Sequence, residues 1–238
     1  ALFGGVVEDF ATSDPFVSID HATAQLVANY RMPELIPLFI WITALGSSIV
    51  VLPLLFLSAL ILRLLKRQWL MLPLFISSAG ATLMSALGKM AFQRPRPLEA
   101  VLLEQSYSFP SGHATIAVAF YGFLGYMLMR STTSWRQQVN RFFLSAVIIA
   151  LIGLSRIVLG VHYLSDVWAG YLVGTMWLII AISISEWLVW NGRIQLKVNV
   201  NRPQHTMAWA MAAVGLLGYL TFVTYWQPAR FTAPVIST

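Results

Sequence analysis

Residues 142–190 read FFLSAVIIALIGLSRIVLGVHYLSDVWAGYLVGTMWLIIAISISEWLVW. Two long apolar runs, about Phe142 to Leu159 and about Ser165 to Trp190, enclose the stretch Ser155-Arg156-Ile157-Val158-Leu159-Gly160-Val161-His162-Tyr163-Leu164-Ser165-Asp166. A bilayer core about 30 Å thick is crossed by about 20 apolar residues in a helix, so each run reads as a membrane span. Between them stand a cation, an imidazole and a carboxylate. Ionisable groups at the edge of a span forfeit solvation, which makes them a functional hypothesis by default. His162 and Asp166 are four residues apart, an offset at which side chains meet across one helical turn.

The same composition extends along the chain. Of 238 residues, 58% are hydrophobic and 10% charged, against about a quarter charged in soluble domains. The mean hydropathy is +0.73. The apolar residues come in blocks rather than with an amphipathic period, which excludes an ordinary soluble enzyme. The net charge of +6 reports membrane orientation rather than nucleic acid, for which no partner role is expected. No cysteine is present, so disulfides and thiolate metal sites are excluded.

Four further spans are expected. They are about Leu35 to Leu65 with a bend near Gly46, about Trp69 to Phe92, Ser111 to Met129, and about Met207 to Trp226. The fold class is therefore all-α, a polytopic six-transmembrane-helix bundle. Ile19, Ala22, Leu26 and Val27 form an apolar stripe on a short interfacial helix in the acidic lead-in. The expected organisation is a lead-in and interfacial segment over 1–34, a membrane core of five spans over 35–190, and a basic loop with the sixth span over 191–238. The opening residues, Ala1 to Val7, look like the tail of an apolar segment, as in a processed or excerpted chain.

Loops after spans one, three and five carry Arg63, Lys66 and Arg67; Arg130, Arg136 and Arg141; and Arg193, Lys197 and Arg202. The positive-inside rule makes these loops cytoplasmic and the opposite ends external. Trp69, Trp187, Trp190, Trp209 and Trp226 fall near block ends, as an aromatic belt requires. His21 and His205 read as interfacial, and Glu186 as a carboxylate snorkelling to the cytoplasmic interface.

Three polar clusters then share the external side. Lys89-Met-Ala-Phe-Gln-Arg94-Pro-Arg96-Pro97 supplies fixed positive charge. Ser108-Phe109-Pro110-Ser111-Gly112-His113 is a helix start, whose free N–H groups suit an oxyanion. The third is the stretch from Ser155 to Asp166. Arginine forks, a backbone anion nest and two histidines are the parts of metal-free phosphoryl transfer. Asp166 is positioned to fix the His162 tautomer and leave the other ring nitrogen to attack. His113, with no adjacent acid, suits proton donation to a leaving oxygen. A divalent site on the two histidines and Asp166 is disfavoured by the charges of Lys89, Arg96 and Arg156, so no metal and no cofactor is expected. Arg94 reads as a phosphate ligand or a rim charge.

Lys89-x6-Arg96-Pro97, Pro110-Ser111-Gly112-His113 and Ser155-Arg156-x5-His162-x3-Asp166 together resemble the full three-part signature of the type-2 phosphatidic acid phosphatase (lipid phosphate phosphatase) superfamily. The resemblance implies a six-helix membrane enzyme that dephosphorylates lipid phosphates or diphosphates without metal, through a phosphohistidine. It implies His162 as nucleophile, Asp166 as its orienter and His113 as general acid, with Lys89, Arg96, Ser111, Gly112 and Arg156 holding phosphate. Soluble vanadium haloperoxidases share the signature, but six apolar spans count against that branch. The lead-in Val7-Glu8-Asp9, Asp14-Pro15 and Asp20, followed by Ile42-Thr43-Ala44-Leu45-Gly46, also resembles the phosphatase half of bacterial fusions with a DedA-type membrane domain. The expected substrate is a membrane lipid of the undecaprenyl diphosphate, phosphatidylglycerophosphate or phosphatidic acid type, met in the bilayer on the external face of the cell membrane. A lipid phosphotransferase and a non-enzymatic lipid-phosphate carrier are the alternatives.

Overall fold

The computed structural model describes residues 15–193, and among them every regular element is helical. Five helical segments are long and apolar enough to cross a membrane: Pro33–Leu64, Gln68–Phe92, Gly112–Arg130, Trp135–Val158 and Leu164–Trp190. The sixth expected span and the basic residues Lys197 and Arg202 lie outside the described residues.

Helix α1 (Pro15–Tyr30) precedes the first span. Ile19 and Leu26 of its expected apolar stripe are exposed, while Asp20, one residue from Ile19, is buried. The helix therefore turns an apolar side outward and a carboxylate inward, which suits a helix lying at the interface. The first span is broken, as the glycine predicts, into α2 (Ile36–Ala44) and α3 (Ser48–Leu64). A Cβ at Gly46 would sit 2.8 Å from Ile152 Cγ2 and 3.1 Å from His113 Cδ2, so only glycine admits that approach. The break leaves helix carbonyls without partners, and the Tyr121 hydroxyl donates to Leu45 O at 2.7 Å.

Helix α4 (Met71–Phe92) follows a tight turn at Gln68–Leu70 and ends on Gln93, whose φ of 46° turns the chain out of the helix. Helix α5 (Gly112–Arg130) has one π turn at Ala117–Tyr121. Helix α6 (Trp135–Val158) starts earlier than the apolar run suggests. Arg136 and Arg141, expected in a loop, are instead in its first two turns. Arg141 Nη1 donates to Ser131 Oγ at 3.0 Å and to Leu128 O, tying the polar start of α6 to the end of α5. The hydrophobic period fails here because the first turns of α6 emerge from the apolar layer and need no apolar residues.

Helix α7 (Leu164–Trp190) packs against α4 and α5 through small residues. A Cβ on Gly170 would lie 2.7 Å from Ser111 O, one on Gly174 2.5 Å from Thr115 O, and one on Gly80 2.3 Å from Trp177. Close backbone approach of this kind replaces the hydrophobic drive that lipid cannot supply. Leu70, Leu74, Phe120, Phe123 and Ala181 form a fully buried core among α4, α5 and α7. Outward-facing Phe142, Phe143, Leu144 and Val147 give α6 its lipid face. At the basic end, Glu186 accepts from Tyr126 Oη at 2.7 Å and from Arg130 at 3.0 Å, consistent with a carboxylate reaching the interface.

Candidate active site

The opposite end of the bundle gathers the end of α4, the start of α5, the end of α6 and the start of α7, with the loop 93–111 laid across them. The loop is fastened by backbone. Ser108 N–H donates to Arg94 O at 2.9 Å, Val101 N–H to Leu159 O at 2.9 Å, and Ser111 N–H to Asp166 O at 2.9 Å. All three sequence clusters therefore share one site.

The α6 to α7 connection is set by a single turn. Gly160 has φ of 68°, its N–H donates to Ile157 O at 2.9 Å, and the Val161 N–H donates to Arg156 O at 3.2 Å. This pair of bonds is the Schellman closure of a helix, with glycine at the left-handed position. It leaves Arg156 in the last turn of α6 and returns the chain so that His162 stands just before α7.

Asp166 lies at the third position of α7. Its Oδ2 accepts the Tyr163 N–H at 2.8 Å, as in a capping box, and approaches His162 Nδ1 at 3.4 Å. The expected His162–Asp166 pair thus forms, but not across a helical turn. His162 precedes the helix, and Asp166 reaches back over the helix N-terminus. On its other side, His162 Nε2 lies 3.3 Å from Arg96 Nη1. Guanidinium is a donor only, so Nε2 carries the lone pair and Nδ1 the proton directed at Asp166. Burial, with Arg156 and Arg96 adding to it, holds the His162 pKa well below the ordinary histidine value, which keeps the ring neutral.

The expected phosphate ligands lie at this same end of the bundle. Arg96 donates to Val161 O at 2.6 Å and to Ser106 O at 2.7 Å. Lys89 donates to Ser106 Oγ at 3.2 Å and to Tyr107 O. Arg156 is almost fully buried and donates to Thr43 Oγ1 at 2.7 Å, while its Nε has no hydrogen-bond partner among the described residues. Ser111 Oγ is likewise buried and unpaired at the start of α5, with Gly112 beside it. Buried donors without acceptors are costly unless something completes them, and an oxyanion would. His113 packs against Gly46 of the broken span.

The sequence assigns no site role to Glu104, Thr43 or Asp20, and Arg94 takes a role other than the two expected of it. Glu104 pairs with Arg96 at 2.8 Å and with Arg156, so a carboxylate bridges the two arginines assigned to phosphate. Burial opposes its ionisation, but Arg156, His113 and Arg96 outweigh that and hold its carboxyl far below the usual range. Thr43 steadies Arg156 from the end of α2. Arg94 is neither a phosphate ligand nor a rim charge. It is buried, pairs with Asp166 at 2.6 Å and with Asp20 at 2.8 Å, and lies 4.2 Å over the Tyr163 ring. The available signals were an acid between two arginines for Glu104, and a lone carboxylate beside the apolar stripe of α1 for Asp20.

The chain is similar to known proteins in both sequence and structure. Residues 69–190 match the family model described as the PAP2 superfamily. The chain is 31% identical over 161 residues to phosphatidylglycerophosphatase B of Bacillus subtilis, covering 67% of this chain and 79% of that one. Its structure is similar to the crystal structure of a transmembrane PAP2-type phosphatidylglycerolphosphate phosphatase from B. subtilis. The TM-score is 0.72 at 28% identity, over 79% of this chain and 94% of that chain. Similarity to LpxE of Aquifex aeolicus is lower, with a TM-score of 0.54 at 28% identity over 69% of this chain and 94% of that one.

Proposed function

This chain belongs to the PAP2 superfamily and is a multi-pass membrane lipid phosphatase, and from that premise we propose that it hydrolyses a lipid phosphate through a phosphohistidine on His162. The observation that carries the reading is the His162 ring, with Asp166 at Nδ1 and a bare Nε2 turned toward Arg96. In the proposed reaction the substrate phosphate takes the place of the Glu104 carboxylate against Arg96 and Arg156, and Lys89, Ser111 and Gly112 supply the remaining donors. Nε2 attacks phosphorus, the bond from phosphorus to the lipid oxygen breaks, and His113 gives that oxygen a proton. Water, losing a proton to His113, then displaces the imidazole and releases inorganic phosphate. Asp166 stabilises the positive charge that the ring carries in between.

Phosphatidylglycerophosphate is the first-choice substrate, because relatives matching in sequence and in structure are named for it. Phosphatidic acid presents the same terminal phosphate monoester, and undecaprenyl diphosphate presents a terminal phosphoryl group whose leaving oxygen belongs to the phosphate that stays on the lipid. The basic residues Arg63, Lys66, Arg67, Arg130 and Arg193 support a cytoplasmic opposite end, hence an active site on the external face of the cell membrane. The test is phosphate release from these three lipids by purified protein in EDTA. Release is expected with wild type and lost in His162→Ala. Full activity of that variant removes the proposed nucleophile, and loss of wild-type activity on chelation removes the metal-free route.

A further inference from the structure

Behind the proposed nucleophile, Asp166 belongs to a layer of buried charge whose other two members, Asp20 and Arg94, have no role in the proposed phosphate chemistry. Asp20, Arg94 and Asp166 are each no more than 3% exposed. Arg94 divides its fork between the two carboxylates: Nη2 to Asp20 Oδ2 at 2.8 Å, and Nη1 to Asp166 Oδ1 at 2.6 Å. Asp20 also accepts the Ser165 N–H at 3.0 Å and the Ser165 hydroxyl, and that hydroxyl oxygen accepts from Arg94 Nη1 at 2.7 Å. The carboxylate of α1 thus clasps the first turn of α7 and the Arg94 side chain together. The other oxygen of Asp166 holds the Tyr163 N–H and faces His162.

A guanidinium shared between two carboxylates neutralises each only in part. Without the Asp20 charge, Arg94 would turn wholly on Asp166. That would weaken the negative potential at His162 Nδ1 and draw the carboxylate away from a contact already 3.4 Å long. We propose that Asp20 is a positioning residue for His162, acting through Arg94 and Asp166, so that the N-terminal helix α1 is part of the catalytic apparatus and not only a membrane-surface element. The proposal rests on His162 being the nucleophile.

The test measures phosphate release from phosphatidylglycerophosphate in mixed micelles, with kcat taken per folded, monodisperse molecule and the unfolding midpoint recorded alongside. Asp20→Asn is expected to lower kcat by about 10- to 100-fold, the cost of a misaimed reacting group. KM should stay within about twofold, since the phosphate ligands are untouched. Asp20→Glu should recover part of the loss. A merely structural contact would lower the unfolding midpoint and leave kcat intact; that result, or a loss confined to KM, overturns the proposal. If Asp20→Asn does not fold, Arg94→Lys decides. A single ammonium cannot fork between both carboxylates, so kcat should fall at least about tenfold, and a wild-type kcat overturns the proposal. A fully active His162→Ala would instead remove the nucleophile reading itself, whereas an inactive His162→Ala beside a fully active Asp20→Asn removes only the role of Asp20.

Discussion

Glu104 puts a carboxylate against the two arginines that the lipid phosphate is proposed to use, so substrate binding becomes an exchange of one anion for another. Glu104→Gln should remove the competitor. Inorganic phosphate is then expected to inhibit about tenfold more tightly, the scale of one charge-assisted hydrogen bond in a half-buried site. An unchanged inhibition constant would show that the carboxylate does not compete. A second residue-scale consequence concerns acid. The folded-state pKa of His162 lies below its unfolded value of about 6.5, so the unfolded chain binds more protons as pH falls. Stability is therefore fully present above that pH and is lost downward through it, with Glu104 adding a further loss nearer pH 4. The thermal midpoint in detergent should fall below about pH 6.5, and His162→Gln should flatten the upper part of that slope. The same lowered pKa keeps Nε2 unprotonated, so phosphate release should persist into moderately acid solution.

At the scale of elements, the turn at Gly160 and the glycines of α7 make separable predictions. Gly160→Ala forces a side chain onto a φ of 68° and brings its Cβ 2.8 Å from Glu99 O. A cost of about 1–2 kcal/mol is expected, read as a lower unfolding midpoint with reduced activity. Gly170→Val would drive α7 off the start of α5, where Ser111 O is 2.7 Å from the built Cβ. It should lose phosphate release even in the molecules that remain folded. Spans and motifs were legible in the sequence because apolar length and fixed spacing are local properties. The break at Gly46 was legible because the block exceeded a bilayer's need. What was not legible depended on distance along the chain. Arg94 looks like any rim charge until Asp20, 74 residues away, is brought beside it. The His162–Asp166 spacing suggested a helical turn, and only the start of α7 at Leu164 reveals a cap instead.

For the whole molecule, the proposed orientation yields a direct test, because the chain contains no cysteine to remove. Leu103→Cys, on a residue 93% exposed at the site end, should react with a membrane-impermeant maleimide in intact cells. Ser131→Cys, at the basic end, should react only after the membrane is opened. The reverse pattern would put the site on the cytoplasmic side. The Schellman turn also bears on where lipid choice resides. Because backbone bonds close it, the span from Arg156, proposed to hold phosphate, to His162, proposed to attack it, is a fixed gauge, the same for every lipid that enters. Selectivity must then be read beyond that gauge, where Leu98 and Leu103 stand almost fully exposed on the loop that also carries Arg96 and Glu104. An effort to change the substrate would start at those leucines, leaving the turn untouched.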